Sequence, residues 1–215
     1  MELVKDCILI FSALFPIVNP LAGASFFLSL TSGYPAADRK LLAGRVAFDS
    51  FVLLVASFLV GSHVLSFFGV SLPIVQVGGG LMVIANAWEL FSRKDDEARG
   101  EVGLTVDREH ILGKAFYPLT LPLTVGPGSI SVAITLGANA PSPGGGRLVM
   151  ALVAALLASA LVALSIYFCY GYADRLAKRL GVSATAVIER LSSFLLLCIG
   201  LQIVWNGVSA LVRSL

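Results

Sequence analysis

The chain has 215 residues, 57% of them hydrophobic and only 13% charged, about half the charged share of a soluble domain, which excludes a water-soluble globule. Six spans of about 20 apolar residues would take up about 120 positions, so no room remains for a soluble catalytic domain, a nucleic-acid module or a long tail. The net charge of +2 excludes nothing, because in a membrane protein the placement of the charges carries the information.

Charge-free runs predict helices over about 7–30, 43–68, 72–91, 115–138, 148–170 and 190–212. Runs such as 152–164 do not alternate, which excludes an outer-membrane barrel. The first span follows Glu2, Lys5 and Asp6 and is interrupted by Pro16 and Pro20. A cleavable signal peptide needs a positive start and an unbroken apolar stretch, so this span is expected to stay attached despite Ala22-Gly23-Ala24. Asn19-Pro20 reads as a helix start within it, since Asn is a preferred N-cap and Pro suits the first helical position. Asn19 lies twelve residues beyond Cys7, about 18 Å along a helix and near the middle of a roughly 30 Å core.

The second span carries Asp49 four residues after Arg45, the spacing of a helical ion pair. The alternative for an intramembrane acid is proton coupling, and Asp49 is the candidate for it. His63 falls near the far end of this span, where water makes a special role unnecessary. Residues 69–73, Gly-Val-Ser-Leu-Pro, end this helix and start the next, so spans two and three form a tight hairpin. In the third span Gly78-Gly79-Gly80 precede Leu81-Met82, where a phosphate loop needs Lys followed by Ser or Thr. These glycines are expected to admit a neighbouring helix, and packing is the expected role of Asn86. Glu89 and Glu189 lie near span ends and are expected to be solvated.

Residues 92–114 mix both charge signs and read as a solvated connector. In the fourth span Gly126-Pro127-Gly128-Ser129 offers a second helix restart, twelve residues after Lys114. Pro141, Pro143 and Gly144 to Gly146 predict a flexible loop. Cys7, Cys169 and Cys198 fall in apolar spans without CxxC spacing, and His63 and His110 are far apart in the chain, so no cofactor, metal or disulfide framework is indicated.

Orientation follows from the cations. Arg39, Lys40, Arg45, Arg93, Lys94, Arg99, Arg108, Lys114, Arg175, Lys178, Arg179 and Arg190 fall on one face, against Lys5, Arg147 and Arg213 on the other. This split of twelve to three places the first, third and fifth connections in the cytoplasm and both termini outside.

The chain also repeats itself. Phe15-Pro16-Ile17-Val18-Asn19-Pro20-Leu21 in the first span resembles Tyr117-Pro118-Leu119-Thr120-Leu121-Pro122-Leu123 in the fourth. Gly80 to Asn86 in the third resembles Gly200 to Asn206 in the sixth. Two matches in the same order imply two copies of three spans, about 7–91 and 115–212 within one transmembrane domain. Three is odd, so the copies run in opposite senses, the inverted-repeat plan of many secondary transporters. Prolines inside both first spans free backbone groups that lipid cannot satisfy. Each break also ends in a helix N-terminus at mid-membrane, which suits a carboxylate. Asn19, Pro20, Thr120, Thr124, Gly126, Gly128 and Ser129 are the candidate substrate-binding residues, with Asn19, Thr120, Thr124 and freed carbonyls facing an ammonium group.

The stretches at 15–20 and 118–129, with the glycine-rich third span ending in Asn86, resemble the MarC family of integral membrane proteins over essentially the whole chain. The resemblance implies a multi-pass protein of a bacterial or archaeal cytoplasmic membrane that moves small neutral amino acids such as glycine or alanine, distantly similar to LysE-type exporters. The name of that family comes from a multiple-antibiotic-resistance locus, which says little about drug efflux. A homo-oligomer is compatible with the sequence; nucleic acid is not an expected partner. The alternatives are a passive channel, since broken helices also line channels, and an exporter for another small solute. An intramembrane enzyme would need a base beside a nucleophile or clustered ligands, and none is evident.

Overall fold

The computed structural model describes residues 2–92, 113, 115–141 and 146–214. Most of the predicted connector, with Lys114 and His110, and loop residues 142–145 lie outside the described residues. The described elements are all helical. They are α1 (Glu2–Val18), α2 (Pro20–Leu30), α3 (Ala36–Phe67), α4 (Leu72–Ser92), α5 (Ala115–Thr124), α6 (Pro127–Ala138), α7 (Gly146–Gly171) and α8 (Ala173–Arg213). By length and composition five stretches can cross a membrane, α1 with α2 counting as one; α5 and α6, bent by 72° from each other, make a sixth.

The hairpin between α3 and α4 forms as its sequence dictates. Gly69 takes a positive φ of 68°, and the Val70 N–H reaches back to the Leu65 carbonyl at 2.9 Å, the glycine-centred stop that satisfies the last carbonyls of a helix. At the other end of α3, Arg39 forms an ion pair with Asp174 at the start of α8. Tyr172 lies beneath two cations, Lys40 at 5.7 Å and Arg175 at 5.5 Å from the ring centre. Helix α8 kinks at Gly181, whose φ is 73°, separating the charged first turns from the apolar 184–213 stretch.

The core follows side-chain size. Ala154, Ala155 and Ala158 of α7 are buried in the main cluster, where their small volume lets α1 and α3 pack against α7. Helix α4 packs chiefly on α8. A Cβ on Gly80 would lie 2.8 Å from the Gly200 carbonyl oxygen, and one on Gly200 3.0 Å from that of Gly80. Only residues without side chains allow two backbones this close. The expectation that the glycines of the third span admit another helix is met here.

The fourth span departs from a plain helix before its restart. Tyr117 and Leu121, each followed by proline, take extended angles with ψ of 123°, because the proline ring disfavours helical angles in the residue before it. The remaining turns are wide, and the Val125 N–H bonds to the Thr120 carbonyl five residues back at 2.8 Å.

Candidate functional site

The break in the first span is a single residue. Asn19 sits in the left-handed region at φ 47° and ψ 61°, which Asn tolerates better than most side chains. Its N–H donates to the Phe15 carbonyl at 2.9 Å and its carbonyl accepts from Gly23 at 3.0 Å. Its side-chain oxygen accepts from the Ala22 N–H at 3.4 Å. Pro20 follows at the first helical position of α2 and has no N–H to satisfy. Pro16, by contrast, lies inside α1 without ending it.

The second break runs through Val125 and Gly126. Gly126 is extended and caps α6 without a side chain, and Pro127 again takes the first helical position. The Ser129 hydroxyl donates to the Gly126 carbonyl at 2.9 Å, and the Ile130 N–H bonds the same carbonyl at 3.1 Å. The N–H groups of Gly128 and Ser129 are left without an intrahelical acceptor. They carry the partial positive charge of the helix end.

A cavity of about 300 Å³ lies between the two breaks, lined by Asn19, Ala22, Gly23 and Phe26 of the first, Pro118, Pro122 and Leu123 of the second, and Asn86, Glu89 and Leu90 of α4. It extends along α2 to Leu30, at the end of the bundle that carries Arg39, Lys40 and Arg175. A smaller cavity of about 40 Å³ adjoins it and reaches Thr124, Gly126, Gly128 and Ser129. Ile17, Asn86, Pro122, Leu123 and Leu196 line both. The break residues therefore converge on one divided space whose polar wall groups are two amides, one carboxylate, the hydroxyl residues Thr124 and Ser129, and a helix N-terminus.

In the opposite half α6 is tightly packed on both sides. Helix α6 lies against α4 so tightly that a Cβ on Gly79 would meet Ser131 at 2.3 Å, and one on Gly128 would meet Val83 at 2.1 Å. The Ser131 hydroxyl donates across this seam to the Val75 carbonyl at 2.9 Å. On its other side α6 packs on α3, where a Cβ on Gly137 would lie 1.9 Å from the Phe58 carbonyl oxygen.

Of the residues expected to bind substrate, Asn19, Thr124, Gly126, Gly128 and Ser129 reach these cavities and two do not. Pro20 is buried beneath the break. Thr120 is fully buried, and its hydroxyl donates to the Ala115 carbonyl at 2.8 Å. Thr124 similarly donates to the Leu119 carbonyl at 2.6 Å and pairs with the Tyr170 hydroxyl at 3.0 Å. Both threonines thus satisfy carbonyls of their own wide turns; Thr120 lines neither cavity, which corrects the expectation that it faces an ammonium group, while Thr124 borders the smaller one. Asp49 is buried on α3, 3.3 Å from Arg45 Nε, and lines neither cavity. One expectation for α4 also changes. Asn86 lines both cavities rather than serving only as packing, and Glu89, exposed, borders the larger one. The signal that could have found them is their spacing, since residues 86, 89 and 90 share one helical face.

Tyr170 holds the two breaks in register. Its ring stacks on Phe27 of α2 with centroids 4.8 Å apart, its hydroxyl meets Thr124 of α5, and a Cβ on Gly23 would lie 2.4 Å from that hydroxyl. Among the described residues no cluster of potential metal ligands occurs.

The family profile described as MarC family integral membrane protein matches residues 4–212. A membrane protein of Methanocaldococcus jannaschii is 31% identical over 204 residues, covering 94% of this chain and 95% of the relative. The membrane protein YvbG of Bacillus subtilis is 29% identical, covering 94% and 93%. The inner membrane protein MarC of Salmonella typhimurium is 27% identical, covering 100% and 99%. No solved structure matches the chain.

Proposed function

The chain belongs to the MarC family of integral membrane proteins, and on that premise we propose that it is a secondary transporter of small neutral amino acids working by alternating access. The observation that carries this reading is the divided cavity between two helix breaks, open toward one end of the bundle and closed at the other by the α4–α6 seam. A static pore would need a path through both halves. One open half and one tight half is what a carrier presents in one of its two states.

The helix packing supports two inverted repeats. α1 packs on α7 as α5 packs on α3, and α2 packs on α8 as α6 packs on α4. The α3–α7 and α4–α8 pairs are their own counterparts, with Gly80 facing Gly200 where a two-fold axis in the membrane plane would pass. With the basic end in the cytoplasm, both termini lie outside and the cavity faces inward. A cysteine at position 143 should then react with an impermeant reagent added to intact cells, and one at position 100 should not.

The chemistry of the walls suits a small zwitterion. The Gly128 and Ser129 N–H groups offer a carboxylate partner, while the amides of Asn19 and Asn86 and the Glu89 carboxylate offer ammonium partners. A volume of about 300 Å³ is at the lower limit for small-molecule sites, which favours glycine or alanine over a bulky amphiphile. No step requires a cofactor or an enzymatic reaction. Counterflow in proteoliposomes tests the reading: internal unlabelled alanine should accelerate uptake of labelled alanine, whereas a passive channel gives the same rate with or without it.

A further inference from the structure

A groove on the outer side of α3 and α7 has no part in the cavity between the breaks. It has a volume of about 840 Å³ and is lined by Lys40, Leu41, Gly44, Arg45 and Phe48 of α3 with Tyr167 of α7. We propose that this groove is a binding site for an anionic phospholipid, with Lys40 and Arg45 holding the phosphate and Leu41, Phe48 and Tyr167 lying along the acyl chains.

Charge and depth support that occupant together. Lys40 stands in the second turn of α3, at the basic end, and Arg45 about 7.5 Å further along the axis. Phe48 lies deeper still, so the cations precede the apolar surface in the order in which a lipid presents its headgroup and tails. Of the acids with an ion pair, Asp174 is engaged by Arg39, and Asp49 meets Arg45 at Nε. The Arg45 side chain is still 55% exposed, which leaves its terminal nitrogens able to meet a phosphate in the paired geometry that guanidinium favours. Leu41 and Phe48 are more than half exposed, an apolar surface that tails cover and that a soluble anion leaves bare. Basic pockets between membrane helices at the cytoplasmic surface hold such headgroups elsewhere.

The test is a titration of phosphatidylglycerol, with phosphatidylcholine as the comparison, into the detergent-purified full chain, read by native mass spectrometry and unfolding temperature. Phosphatidylglycerol should bind more tightly than phosphatidylcholine. Lys40→Gln, which leaves the Arg45–Asp49 pair intact, should weaken it about fivefold, and Lys40→Gln with Arg45→Gln about thirtyfold. Lys5→Gln at the opposite end should leave binding unchanged. The proposal is overturned by equal binding of the two lipids, by unaltered affinity in Lys40→Gln, or by glycerol phosphate binding as tightly as the lipid, which would make this a site for a free anion.

Discussion

Gly79→Ala probes the closed half of the molecule. The added methyl would sit 2.3 Å from both Cβ and Oγ of Ser131, whereas ordinary contact begins at 3.4 Å, so α6 must move away from α4 by about 1 Å. Overpacking of this kind costs about 1–3 kcal/mol, and the Ser131–Val75 hydrogen bond spans the same seam. Because the clash exists only while the seam is shut, the cost is charged to the state open at the basic end. The ratio of the two states should then shift by about 5- to 150-fold toward the state open at the other end. Val75→Cys, in a background with Cys7, Cys169 and Cys198 replaced by Ser, reports it through the rate of reaction with an impermeant maleimide added outside. Labelling should quicken at least about fivefold in Gly79→Ala. Gly78→Ala is the internal control, since nothing lies within 4 Å of its added Cβ, and it should leave the rate unchanged. Equal labelling in folded Gly79→Ala and parent would mean that α4 and α6 form a static crossing with no second state.

Asn19→Ala removes both the cap of α2 and an amide that faces the ammonium group, so stability in equilibrium unfolding should fall by about 1 kcal/mol and amino-acid transport about tenfold or more, with less loss for an analogue lacking the ammonium group. Asp49→Asn should leave proton-gradient-driven accumulation intact, because Asp49 is paired with Arg45 away from the cavity; if accumulation disappears while exchange persists, Asp49 couples protons after all. Tyr170→Phe removes the Thr124 partner and should cost about 1 kcal/mol of stability in equilibrium unfolding. Placed on top of Gly23→Ala, whose methyl would meet that hydroxyl at 2.4 Å, the same change should recover part of the lost stability rather than add to it.

The spans were legible because a membrane helix needs about twenty apolar residues in one run, and every predicted span contains a helix at the expected place. The restarts at Asn19-Pro20 and Gly126-Pro127 were legible too, since cap residues and first-turn prolines are local signals. What faces the cavity was less so. Thr120 looked like a ligand from its place beside the prolines, yet it is fully buried, with its hydroxyl on the carbonyl five residues back. Asn86 was assigned to packing from its place in an apolar span, while which face of α4 borders the cavity depends on how that helix packs on α8, where Gly80 approaches Gly200. That approach is tertiary; the glycine run and the repeat match between the third and sixth spans hinted at a close contact without giving its orientation.

An experimental structure of the protein with alanine bound tests the location of the site most directly. Alanine should lie between the two breaks, its carboxylate at hydrogen-bonding distance from the Gly128 and Ser129 N–H groups and its ammonium toward Asn19, Asn86 and Glu89. Alanine bound elsewhere, in protein shown to transport it, would refute this site and leave the paired breaks as structural kinks.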